Sequence, residues 1–201
     1  MFPEGADTFL KKRFNELIDP VKLILRKSGK DIDRDIEKVL ESISTFSEKI
    51  SIEINESLSC IDAPCISIQT TEKDFGIRFM GKPDGGEFKT FIDTIVMVSR
   101  NEYDLSERTV ELIEQIDRPV EIKVFITNTC GWCPPAVLKS YSFAMVNEYI
   151  TATAIDCYIF SDLAVKYNVA TVPKIVINDK VEQIGLKDEN QLLGSIFASI
   201  S

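Results

Sequence analysis

Along this chain the spacing of hydrophobic positions alternates between a helical and an extended period, and each change of period marks an element. Ala6 to Ile18 places Phe9, Leu10, Phe14 and Leu17 at helical spacing, and Asp19-Pro20 ends the run. Val21 to Lys27 predicts a strand. Asp31 to Ile50 predicts a strong amphipathic helix, with Ile32, Ile36, Val39, Leu40, Ile43, Phe46 and Ile50 on one face. Alternation then predicts strands at 51–55 and 65–69, and Phe75 to Met80 reads as a third β segment after a polar turn, Thr71 to Asp74. Gly85-Gly86 leads into a helix, Glu87 to Arg100, that offers Phe88, Phe91, Ile92, Ile95, Val96 and Val98 to a core.

Leu105 to Ile116 predicts a further helix, stopped by Arg118-Pro119 and read as a connector between halves. The pattern then starts again. Strand 120–127, helix 133–149, strand 151–158, short helix 162–167, strands 174–178 and 181–185, and helix 188–199 follow in order. The order βαβ–ββα thus occurs twice. Pro-x-Ile-x-Ile also occurs twice, at Pro64 to Ile68 and at Pro173 to Ile177, at equivalent points in both halves. We read an internal duplication. The stretch Glu56 to Ala63 is too short for the helix found at the same place in the second half.

The chemistry concentrates at Thr129-Cys130-Gly131-Trp132-Cys133-Pro134-Pro135, where a strand hands over to a helix. There, two cysteines two residues apart read as a redox pair. A thiolate attacks disulfides and a thiol does not, so the first cysteine needs a lowered pKa. Unpaired amides and the dipole of a helix start favour that anion on Cys130. Cys133 can then attack the mixed disulfide formed on Cys130. Pro134 and Pro135 suit a first helical turn. Trp132 is expected on a tight turn, partly exposed beside the reactive sulfur. The chain has no His, so a Cys–His catalytic pair is ruled out.

Ala170-Thr-Val-Pro-Lys-Ile-Val-Ile177, downstream of this pair, resembles the thioredoxin family. The resemblance implies a cis-proline, Pro173, facing the two cysteines, and a backbone at Val172 that pairs with an extended substrate. Two such folds in one short chain resemble the glutaredoxin-like protein disulfide oxidoreductases of archaea and thermophilic bacteria. The run Asp74-Phe-Gly-Ile-Arg-Phe-Met-Gly-Lys-Pro-Asp-Gly-Gly-Glu-Phe88 is similar to that family's first fold, and to the N-terminal redox domain of the alkyl hydroperoxide reductase flavoprotein. This implies an α/β chain of two tandem thioredoxin-like folds, each a central mixed sheet flanked by helices. The divisions expected are 1–103, a connecting helix 104–118, and 119–201. The first fold departs from the pattern: after its first strand it reads Ser28-Gly-Lys-Asp-Ile-Asp-Arg34, without cysteine, and is expected to be redox-inactive by itself.

Of the 201 residues 44% are hydrophobic and 27% charged, ordinary for a globular chain of one large domain or two small ones. With 23 basic and 32 acidic residues the net charge is -9, which argues against nucleic acid or an anionic membrane surface as partner. The N-terminus has no basic region followed by an apolar stretch, and no apolar run approaches the ~18 residues of a membrane span. The expected location is the cytoplasm. The rival reading of Cys130 and Cys133 is a structural zinc site, whose other ligands would have to be Cys60 and Cys65. Cys65 reads first as a buried small residue, with a Cys60–Cys65 disulfide as the alternative; Cys157 reads as a core residue. Asp156 and Glu121 are candidates for a buried carboxylate serving Cys133, although each reads first as a solvated strand residue, and Lys123 can pair with Glu121. Asp84-Gly85-Gly86 lacks Gly-x-Gly-x-x-Gly spacing, so no flavin or nicotinamide cofactor is expected.

The function expected is thiol–disulfide exchange on protein disulfides through Cys130 and Cys133. Electrons would come from a reductase of the thioredoxin-reductase kind or from a small thiol. One alternative is an electron carrier to a peroxiredoxin; another is a non-enzymatic redox-sensing adaptor.

Overall fold

The computed structural model describes residues 5–201, so the first four residues of the N-terminal reading lie outside it. A first series of elements runs α1 (Ala6–Phe14), β1 (Val21–Arg26), α2 (Ile32–Ser44), β2 (Ile50–Ile54), β3 (Cys65–Thr70), β4 (Ile77–Met80) and α3 (Gly85–Arg100). A second runs α4 (Glu107–Ile113), β5 (Val120–Ile126), α5 (Cys133–Val146), β6 (Ile150–Asp156), α6 (Ser161–Lys166), β7 (Lys174–Ile177), β8 (Val181–Ile184) and α7 (Glu189–Ile200). The two series match element for element, except that α6 has no counterpart between β2 and β3. The helix taken for a connector, α4, holds the place in the second series that α1 holds in the first.

Several boundaries move, each for a local reason. The helix expected from Asp31 to Ile50 ends at Ser44, where Ser44 and Thr45 turn their hydroxyls onto the carbonyls of Glu41 and Ser42. Ile50 therefore opens β2 and pairs with Val21 instead of extending the helical stripe. Phe75 falls outside its strand because Gly76 takes φ +72 and gives its N–H to Asp74 Oδ1 at 2.8 Å. A side chain at Gly76 would meet the Ile150 carbonyl oxygen at 2.7 Å. That close approach brings β4 against β6.

The strands form one eight-stranded sheet in the order β2-β1-β3-β4-β6-β5-β7-β8. The two series meet where β4 and β6 run parallel, with Ile77 opposite Ala152 and Met80 opposite Ile155. Tyr141 on α5 adds a cross-tie by donating its buried hydroxyl to the Arg78 carbonyl at 2.7 Å. Strand side chains alternate between the two faces. Leu23, Leu25, Ile122, Val124, Ala152 and Ala154 join the large core that also holds the apolar stripes of α1, α2, α3, α5 and α7. Ile24, Met80, Phe125, Ile155 and Val176 point the other way, into a smaller cluster with Leu58, Cys65 and Phe160. Among the described residues no helix is long and apolar enough to cross a membrane.

Candidate active site

β1, β4, β5 and β6 end, and β3 and β7 begin, along one edge of the sheet. The second series builds a sulfur site there. After Ile126 the chain turns, with the Cys130 N–H donating to the Thr127 carbonyl at 3.1 Å, and α5 begins at Cys133. Pro134 and Pro135 sit in its first turn, where their missing N–H groups cost nothing. Cys130 thus stands on the turn ahead of the helix and Cys133 is the first helical residue, a refinement of the expected placement. The two form a disulfide with a Cα–Cα distance of 5.5 Å. Cys130 is half-buried and Cys133 wholly buried. Trp132 between them is 69% exposed.

The other wall is the segment before β7. The Val172-Pro173 peptide bond is cis, and the Val172 carbonyl oxygen lies 3.8 Å from Cys130 Sγ. Pro173 is buried and Val172 half-buried. The structure therefore brings four of the sequence-derived residues, Cys130, Cys133, Val172 and Pro173, to one place, with Trp132 standing out from it.

The four cysteines of the zinc reading do not converge. Cys60 and Cys65 form a disulfide of their own, so the first reading of Cys65 as a mere core residue is corrected. That pair packs on the smaller face cluster, whereas Cys130 and Cys133 belong to the large core. Among the described residues no group of three or more His, Cys, Asp or Glu is arranged to hold a metal ion. Cys157 is a free thiol, half-buried, and burial pushes its pKa up to about 11, with the Asp156 charge adding to the effect.

Of the two carboxylates, the reading of Glu121 holds and that of Asp156 is corrected. Glu121 faces out and pairs with buried Lys123, which also binds Asp179 at 2.8 Å. Asp156 is buried rather than solvated, and burial raises its pKa although the Tyr158 N–H donates to it at 2.8 Å. The residue that sequence reasoning passed over is Glu87. It lies in the first turn of α3, 2% exposed, and neither carboxylate oxygen has a hydrogen-bond partner among the described residues. Burial pushes its pKa up to about 7; the Thr90 hydroxyl one turn on offsets part of this, and the Asp156 charge adds to it. The turn that carries Glu87 lies directly on the cysteine turn. The Gly86 N–H donates to the Asn128 carbonyl at 2.8 Å, and a side chain at Gly86 would meet that oxygen at 2.7 Å. The signal was present in the Gly85-Gly86-Glu87 run, which reads as a helix start until its neighbour is known.

This is a thioredoxin-like arrangement: a cysteine pair at a strand-to-helix turn, faced by a cis-proline segment. Residues 120–197 match the thioredoxin domain family. More particularly, the chain is similar to the alkyl hydroperoxide reductase AhpF of Pseudomonas aeruginosa, 25% identical over 198 residues, covering 98% of this chain and 37% of that protein. Its fold matches the NTD_N/C domain of AhpF from Enterococcus faecalis with a TM-score of 0.88 at 20% identity, covering 98% of this chain and 100% of that one. It also matches a protein disulfide oxidoreductase from Aeropyrum pernix with a TM-score of 0.81 at 24% identity, covering 96% and 91%. The chain spans about a third of the length of the curated relatives it matches.

Proposed function

We propose that this chain is a thiol–disulfide exchange module that passes two electrons to protein disulfides, with Cys130 as the attacking thiolate and Cys133 as the resolving thiol. The observation that carries the reading is the asymmetry of the pair: one sulfur half-exposed beside the Val172 carbonyl, the other wholly buried at the helix start. An extended substrate laid along Val172 would pair with its backbone as an added strand. Its disulfide would then lie against Cys130. Pro173 shapes the floor of that groove, and Trp132 offers an exposed apolar surface at its rim.

Attack by Cys130 opens the target disulfide and forms a mixed disulfide, with the departing sulfur taking up a proton. Cys133 then loses its proton and attacks Cys130 Sγ, which releases the second target thiol and regenerates the internal disulfide. A buried thiol loses its proton only to a nearby acceptor. Glu87, unpartnered and raised to about 7, is suited to that task near neutral pH.

The likeness to AhpF supports a more specific role, as carrier of electrons from a reductase to a peroxiredoxin. The test is a redox titration of the Cys130–Cys133 couple read by the fluorescence of the single Trp, followed by single-turnover oxidation of the reduced chain by peroxiredoxin disulfide. A two-electron transition in the region of thioredoxin, about −270 mV, with electron transfer lost in Cys130→Ser, is expected. Absence of a two-electron transition would refute the proposal, and transfer surviving in Cys130→Ser would refute the assigned nucleophile.

A further inference from the structure

The first series lacks cysteine on its strand-to-helix turn, which is organised instead by the buried Asp33 carboxylate. Asp33 accepts from the Gly29 N–H at 2.7 Å and from the Ser28 hydroxyl at 2.9 Å. Its cysteines stand on the opposite wall. Cys60 and Cys65 close a ring around Ile61 to Pro64, and Ala63-Pro64 precedes β3 as Val172-Pro173 precedes β7. Between this ring and the β1–α2 turn lies a cavity of about 330 Å³, bordered by Lys30, Ile32, Asp62, Pro64, Phe160 and Leu163. It is the first-series counterpart of the space between Cys130 and Val172.

The two cysteines have the same asymmetry as the other pair. Cys60 is half-buried and Cys65 wholly buried at the start of β3. Arg26 places its guanidinium 3.4 Å from the Cys60 carbonyl oxygen, so a permanent positive charge stands next to the residue that would carry a thiolate. The neighbouring free thiol does not compete. Cys157 packs on the same cluster, but its raised pKa keeps it protonated at neutral pH.

We infer that Cys60–Cys65 is a second thiol–disulfide exchange site, which accepts two electrons from peptide or protein dithiols entering by the cavity beside Pro64. A donor thiolate attacks the Sγ of Cys60, the half-buried partner of the pair. The Cys60–Cys65 bond breaks and a mixed disulfide forms on Cys60. Cys65 leaves as a thiolate and takes a proton in its apolar surroundings, where the neutral thiol is favoured. The donor's second thiol gives up its proton and attacks its own sulfur in the mixed bond, and Cys60 departs and is protonated. The donor ends as a disulfide and the chain holds two thiols, so electrons and protons balance. The two pairs share a sheet edge but lie on opposite faces, with β4 and β6 between β3 and β5, so three strand spacings of about 4.8 Å separate those strands. Direct exchange between the pairs of one chain is out of reach, and this site stands independently of the role proposed for Cys130.

The test uses the full chain carrying Cys130→Ser and Cys133→Ser, equilibrated in dithiothreitol buffers of graded ratio. Reduction is stopped in the native state by acid, and the thiols are alkylated after denaturation and mapped by mass spectrometry. Cys157 alone is expected to react in the oxidised protein, and Cys60 and Cys65 to join it together in one two-electron step. The same variant should catalyse insulin reduction by dithiothreitol above the uncatalysed rate, and Cys60→Ser added to it should abolish that catalysis. Mapping Cys60 and Cys65 in the unaltered chain repeats the measurement should a variant fold poorly. Reduction of the pair only after denaturation, reaction of either cysteine as a free thiol under oxidising conditions, or catalysis that survives loss of Cys60 overturns the inference.

Discussion

Replacing Glu87 by Gln tests the buried carboxylate on two levels at once. Glu87 is 2% exposed and unpartnered, and its pKa rises from 4.5 to about 7. A raised acid binds its proton more tightly in the folded state. Its contribution is fully present below the unfolded value and is lost as pH rises through the folded one. A shift of that size corresponds to about 3 kcal/mol, a large share of the 5–15 kcal/mol that holds a typical domain folded. Above pH 7 the wild type carries the whole cost of an ionised Glu87, whereas Gln stays neutral. Asp156 is raised as well, and its charge is part of what raises Glu87, so the difference between the two proteins reports Glu87 together with its coupling to Asp156. Denaturant unfolding of the oxidised chain at pH 5 and pH 8 should show the gap between Glu87→Gln and wild type widening by about 2.5 kcal/mol in favour of the variant, since pH 5 already lies a little above the unfolded value. The reduced variant should resolve mixed disulfides more slowly, and its rate profile should lose the inflection near pH 7. Parallel stability curves for the two proteins would refute the argument.

Other expectations follow from the same geometry. Cys133→Ser should trap mixed disulfides with target proteins on Cys130, visible on non-reducing gels, while Cys130→Ser should trap none; adducts on both variants would contradict the assigned order of attack. Gly86→Ala forces a methyl group against the Asn128 carbonyl oxygen at 2.7 Å, and should cost about 1–3 kcal/mol in denaturant unfolding. Tyr141→Phe leaves the buried Arg78 carbonyl without the hydroxyl that binds it at 2.7 Å, and should cost about 1–2 kcal/mol. Trp132→Ala, at a side chain 69% exposed, should change stability by no more than about 0.5 kcal/mol yet weaken binding of protein substrates, read as a rise in KM.

Much of this is legible because period and position carry it. The alternation of 120–127 and the helical stretch from Ala136 to Tyr149 place the sulfur pair at a strand-to-helix turn, and the resemblance of 170–177 to the thioredoxin family sets Pro173 opposite it. The repeated βαβ–ββα order gives two folds and the missing helix of the first. What stays hidden depends on contacts between residues distant in sequence. Glu87 reads as an ordinary helix-start acid, and only the packing of Gly86 on Asn128 sets the turn that carries it against the cysteine turn. Asp156 looks solvated on a strand until β4 and Gly81 close over it, a Cβ at Gly81 reaching 3.0 Å from its own. The Cys60–Cys65 bond is one of three readings in the sequence, since spacing alone cannot say whether a loop folds back on itself. The end of α2 is misplaced by periodicity because Ile50 keeps the helical beat by coincidence while Ser44 and Thr45 have already unwound it.

The parallel seam between β4 and β6 has a mechanical consequence. Four residue pairs of ladder, a cross-tie from Tyr141 and a shared core on the helical face join the two series along their length. No hinge can open there without tearing hydrogen bonds from the middle of a sheet. A body of this kind has one orientation to present: its sulfur-bearing edge points where the whole slab points. Loading at one station and unloading at another would require the slab to swing or diffuse as a single piece, so the speed of delivery would be set by tumbling and docking rather than by flexing.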